Sequence, residues 1–91
     1  STNTYRQNVY LMFIYVHTIR MNENVYVKLG QNIKKYRKET GLTQQKLADK
    51  IDMGINFIGK IEVGFSKPSL DTIIKIANAL NVKLSDLFKF D

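Results

Sequence analysis

Four side chains in the middle of the chain carry chemistry at a useful spacing: Thr43 and Gln44, then Asn56 and Lys60. Thr43 and Gln44 offer side-chain donors where a helix can begin, and the free N–H groups of a helix start suit a phosphate. Asn56 and Lys60 are about one helical turn apart, so both can face outward from one helix with Gly54, Ile55 and Gly59 alongside. An amide and an ammonium so placed can reach base edges or the phosphates beside them. Catalysis has no such support. The chain has no cysteine, and its single histidine, His17, has no cysteine or carboxylate cluster near it. With no nucleophile–base pair, metal-ligating cluster or phosphate-cradling glycine loop, the expectation is a binding protein, not an enzyme, with no catalytic residue, metal or cofactor.

Charge points the same way through its distribution. The formal net charge is +6, and residues 28–67 hold nine Lys/Arg against four acids, whereas from Pro68 onward three lysines meet three aspartates. A basic excess gathered in one part of a domain is the footprint of a polyanion-binding surface, and equally of a solvated basic face. The 91 residues allow one modest hydrophobic core. At 44% hydrophobic and 24% charged, the composition is that of an ordinary globular chain.

The elements that must hold these side chains are helices. Val25, Leu29, Ile33 and Tyr36 recur every three to four residues, and Gly41 is placed to end that helix. Thr43 can cap a second helix, Gln44 to about Lys50, whose apolar stripe is Leu47, Ala48 and Ile51. Asp52, Met53 and Gly54 form a tight turn, since Asp and Gly tolerate left-handed or irregular angles. A third helix, about Ile55 to Glu62, buries Ile58 and Ile61 and stops at Gly64. Ser69 caps a fourth, with Leu70, Ile73, Ile74, Ala77 and Leu80 as a broad buried face and Asn81 as its left-handed end. A short fifth helix, about Leu84 to Phe88, presents Leu84, Leu87 and Phe88. The fold expected is all-α. Within it the second and third helices, joined by a short turn, form a unit that can present its second helix to the major groove.

Residues 1–22 differ from the rest and form an apolar N-terminal extension. Val9 to Val16 (VYLMFIYV) is an unbroken apolar run, too short to span a bilayer, which needs roughly twenty residues. Nor does it have the basic start and small-residue cleavage site of a signal peptide. Its β-branched and aromatic content favours a strand with both faces covered. Three readings stay open: pairing with its copy in a second subunit, packing on its own domain, or sequence upstream of a true start at Met21.

The run GLTQQKLADKIDMGINFIGKIEVGFSKPSLDTIIKIANALNVKLSDLF resembles the lambda-repressor-like (Cro/Xre) helix-turn-helix family. The spaced signature is G-L-T-Q, L-A, I-x-x-I-E, a glycine two residues on, P-S-L, A-x-A-L and a closing L-F. The resemblance covers about Leu29 to Phe88 and implies a five-helix DNA-binding domain, here residues 23–91. It also implies a homodimer on an inverted repeat of double-stranded DNA, in the cytoplasm, acting more often as repressor than activator. No membrane partner and no small-molecule ligand are indicated.

Carried over by position, Gln44 resembles the family glutamine that contacts the DNA backbone and braces the reading helix. Ile55, Asn56 and Lys60 fall where members touch bases or nearby phosphates, with Gly54 at the start of that helix, and Lys67 beside Pro68 is placed for a phosphate. Arg37 and Glu62 match a structural ion pair between the first and third helices, whose bidentate geometry would fix the angle of the reading helix. The chain departs from the family pattern at Ile55, Gly59, Val63 and Phe65, where polar or basic residues are frequent. Asn56 can hold an adenine and Ile55 a thymine methyl, so an A/T-leaning site read largely through DNA shape is expected. The poor polar equipment of this helix also suits a second function, a protein-interaction module or antitoxin-like partner protein that keeps the fold. The apolar patch Leu84, Leu87, Phe88 and Phe90 serves either dimerisation or the core.

Overall fold

A computed structural model describes residues 25–90. The extension of residues 1–22, the strand expected within it and His17 lie outside these residues. The described residues are helical with short connections and contain no strand. Five helices follow one another: α1 over residues 25–39, α2 Gln44–Lys50, α3 Ile55–Glu62, α4 Leu70–Leu80 and α5 Leu84–Leu87.

The helix ends explain why the connections can be so short. After α1, α2, α3 and α4 the chain makes the same pair of backbone bonds, one spanning five residues and one spanning three. These are Leu42 N–H to Arg37 O and Gly41 N–H to Lys38 O; Met53 to Ala48 and Asp52 to Asp49; Phe65 to Lys60 and Gly64 to Ile61; Val82 to Ala77 and Asn81 to Asn78. Such a stop needs one left-handed residue, and the four positive-φ residues among those described are Gly41 (+79°), Asp52 (+56°), Gly64 (+79°) and Asn81 (+56°). The turn between α2 and α3 therefore takes its left-handed step at Asp52 alone. Gly54 is extended (φ −77°, ψ 148°) and is the N-cap of α3, with no side chain to cap it. The N-caps expected from the sequence are present: Thr43 Oγ1 accepts from Lys46 N–H at 3.1 Å, and Ser69 Oγ accepts from Thr72 N–H at 3.2 Å.

One core joins all five helices: Leu29 and Ile33 from α1, Leu47 and Ala48 from α2 with Ile51 just after it, Ile58 and Ile61 from α3, Ile73, Ile76, Ala77 and Leu80 from α4, and Leu87 from α5. Two expectations for α4 are corrected. Leu70 (59% exposed) and Ile74 (39%) lie outside the core, while Ile76 and Thr72 are buried. The buried stripe runs through residues 72, 73, 76, 77 and 80, and Leu70 and Ile74, one turn apart, fall on a neighbouring row. Likewise Val25 is exposed, and Phe88 lies past the end of α5, exposed, edge-on to Phe90 at 6.1 Å. Leu87 is core and Leu84 half-buried, so the C-terminal apolar patch is narrower than its four residues suggested.

Two contacts that help to place α1 carried no sequence signal. Asn32 Nδ2 donates to Leu87 O (2.9 Å) and Lys89 O (3.0 Å), holding the end of α5 against α1. Gly30 lets α1 approach the end of α3 closely: a Cβ there would stand 2.3 Å from Ile61 O and 2.7 Å from Glu62 O.

Candidate nucleic-acid interface

What positions α3 is a buried polar cluster at its last turn. Glu62 and Arg37 are buried at 4% and 7% exposure, and they meet through two bonds, Arg37 Nε to Glu62 Oε2 at 2.5 Å and Arg37 Nη2 to Glu62 Oε1 at 3.1 Å. Arg37 Nη1 also donates to Leu42 O at 2.8 Å, and Gln44 Nε2 donates to Glu62 Oε1 at 3.0 Å. One carboxylate thereby ties the end of α3 to α1 and to the first residue of α2. The bidentate fork fixes orientation as well as distance. Its net contribution is modest because desolvation offsets attraction, but removing one partner leaves a buried charge alone.

With α3 so held, its outer face turns to solvent and forms one wall of an open groove. Gln44, Ile55, Asn56, Gly59, Lys60, Val63 and Phe65 line it. Five of the residues singled out from the sequence are brought together here: Gln44, Ile55, Asn56, Gly59 and Lys60. Gly59 lies beside the Gln44 amide, whose Oε1 stands 4.0 Å from where a Cβ on Gly59 would be, an ordinary contact distance. Gly54 and Thr43 are at the starts of α3 and α2 and do not line the groove. Lys67 does not line the groove, and its ammonium stands 5.6 Å from the centroid of the Tyr26 ring of α1.

The polar equipment of the groove is sparse. Asn56 and Lys60 are exposed, and one face of the Gln44 amide is committed to Glu62. No carboxylate or guanidinium lines the groove. Against this stand three apolar side chains, Ile55 (40% exposed), Val63 (69%) and Phe65 (81%). Val63 and Phe65 were legible only as departures from a family pattern. Their joint placement depends on the stop after α3, in which Phe65 N–H returns to Lys60 O at 2.9 Å. Among the described residues no three His, Cys, Asp or Glu side chains are grouped to hold a metal ion, and no helix is long and apolar enough to cross a membrane.

The profile of the Helix-turn-helix family matches residues 33–87. Control protein C.BamHI of Bacillus amyloliquefaciens is 37% identical over 71 residues, which are 77% of this chain and 88% of that protein. The HTH-type transcriptional regulator ImmR of Bacillus subtilis is 32% identical over 65 residues, 71% of this chain but only 51% of ImmR, so the chain spans about half of that relative. Among solved structures, the biofilm master regulator SinR in complex with DNA superposes with a TM-score of 0.63 at 32% identity, covering 67% of this chain and 98% of the chain in that structure.

Proposed function

This chain belongs to the helix-turn-helix family of lambda-repressor-like transcriptional regulators, and on that premise we propose that it is a homodimeric, sequence-specific repressor that reads the major groove of double-stranded DNA with α3. The observation that carries this reading is the groove along the outer face of α3, with an exposed amide and an exposed ammonium one turn apart on a helix whose angle is set by a buried ion pair. The superposition on SinR, solved with DNA, supports it. Asn56 then reads a base edge, Lys60 a base or adjacent phosphate, and Ile55, Gly54 and Gly59 allow close approach. Thr43, Gln44 and Lys67 act on the sugar-phosphate backbone. In the cytoplasm, a dimer seated on a promoter represses by covering the duplex.

The apolar side chains left outside the core suit the dimer contact. Leu70 and Phe88 are exposed and line one shallow groove with Val25, Tyr26 and Pro68. Pairing two copies through this surface removes it from water, and the two reading helices then belong about 34 Å apart, one turn of B-DNA.

A binding selection on randomised duplexes at about physiological salt tests the proposal. An inverted repeat with half-sites about ten base pairs apart, and affinity that falls steeply with salt, is the expected result. Retention without any recovered motif would sink sequence reading. Absence of binding would favour the protein-interaction reading, which the exposure of Val63 and Phe65 supports.

A further inference from the structure

Resting on the DNA-binding reading, we propose that the outer wall of α3 recognises the C5-methyl group of pyrimidines, and that this contact adds base selectivity beyond the hydrogen bonds of Asn56 and Lys60. The groove holds no arginine, which leaves Lys60 as its one cation for the O6 and N7 acceptors of guanine, and no carboxylate for the N4 amine of cytosine. Glu62, the one acid of α3, is buried and bound by Arg37 and Gln44. Hydrogen bonding to bases is thus left to Asn56 and Lys60, with what remains of the Gln44 amide.

Apolar surface fills the gap. Ile55 stands at the start of α3, Val63 just past its end and Phe65 two residues on, all exposed and all lining the same groove. In the major groove the one apolar group a base presents is the C5-methyl, carried by thymine and by 5-methylcytosine. Ile55 and Val63 are separated by about 12 Å of helix axis at 1.5 Å per residue. A helix lying along the groove would therefore meet two methyl-bearing pyrimidines roughly three to four base pairs apart in each half-site, at a base-pair rise of about 3.4 Å.

Deoxyuridine tests this directly, because it keeps every hydrogen-bonding group of thymine and lacks only the methyl. In the selected duplex each thymine is replaced in turn by deoxyuridine and the dissociation constant measured with the full chain. Burial of one methyl is worth about fourfold in an equilibrium constant. A loss of about that size is expected at two positions per half-site and little change elsewhere. Ile55→Ala should erase the penalty at one of them and Val63→Ser at the other, with the melting temperature of the Val63 variant unchanged because that side chain is 69% exposed. A cytosine–guanine pair at the same position should bind about fourfold better when the cytosine carries the C5-methyl, which separates methyl recognition from recognition of thymine as such. Equal binding of thymine and uracil duplexes at every position would overturn the proposal while leaving DNA binding intact. No retention of any duplex would overturn both.

Discussion

The two faces of α3 obey different rules. The inner face, Ile58, Ile61 and Glu62, is buried, and each of its side chains has a fixed partner in α1, α2 or the core. The outer face, Ile55, Asn56, Lys60 and Val63, faces solvent and is free to vary with what it meets. The inner face must satisfy geometry inside the protein, where an error in volume or charge costs several kcal/mol. The outer face must satisfy geometry in a partner, so its residues are chosen by a ligand and not by the fold. One helix of eight residues carries both demands because its 3.6-residue period separates them cleanly.

Substitutions on either face can break or sharpen this contrast. The largest effect is expected from Glu62→Ala, which strands the buried Arg37 guanidinium and should destabilise the domain by about 3–5 kcal/mol in chemical denaturation. Arg37→Met combined with Glu62→Leu should recover most of that loss, and failure to recover would mean that the pair is more than a local electrostatic lock. Next comes Gly30→Ala, whose methyl would collide with the Ile61 and Glu62 carbonyls. Forcing α1 off α3 should cost about 1–3 kcal/mol and lower the melting temperature, with DNA affinity falling in parallel as the reading helix loses its angle.

On the outer face the pattern should reverse. Asn56→Ala should leave stability within about 0.5 kcal/mol of the parent. It should nonetheless remove about 1–3 kcal/mol of discrimination at one base pair of each half-site, read by competition between selected and singly altered duplexes. A stability loss without a specificity change would place Asn56 with the inner face.

The smallest effect belongs to α5, far from either face. Asp86 Oδ2 accepts Lys83 N–H at 3.0 Å and Oδ1 meets Lys89 Nζ at 3.2 Å. The Lys83 N–H bond first, then the bond to Lys89, hold the Asp86 carboxyl below its ordinary value of 3.8. A depressed carboxyl stabilises the folded helix at all pH above that ordinary value and loses its contribution as pH falls through the lowered one. Amide exchange at Lys83 should accelerate over that acid range, and Asp86→Asn should flatten the dependence.

Much of this architecture was legible in the residues themselves. Helix ends are local: Gly41, Gly64 and Asn81 mark their stops because only a few residue types accept a left-handed backbone, and Thr43 and Ser69 mark starts because their hydroxyls bond within three residues. That Asn56 and Lys60 share an exposed face was legible too, since they are one helical turn apart. Less was visible where neighbours come from afar. The depth of α4 was misjudged at Leu70 and Ile74 because five apolar residues offered more than one stripe, and only packing against the other helices selected residues 72, 73, 76, 77 and 80. Nor does any local pattern show that α1 brings the Tyr26 ring beside the Lys67 ammonium.

By itself, then, the sequence determined the five helices and nearly all their limits, because hydrogen bonds within a few residues and a 3.6-residue apolar period suffice for those, while its spaced signature carried the resemblance to the family. Tertiary structure alone decided that Gln44 joins Arg37 on Glu62, that Gly30 is a point of close approach between α1 and α3, and that Val63 and Phe65 complete an apolar wall beside Asn56. Each of these depends on residues far apart in the chain meeting at contact distance, and no local pattern encodes such a meeting.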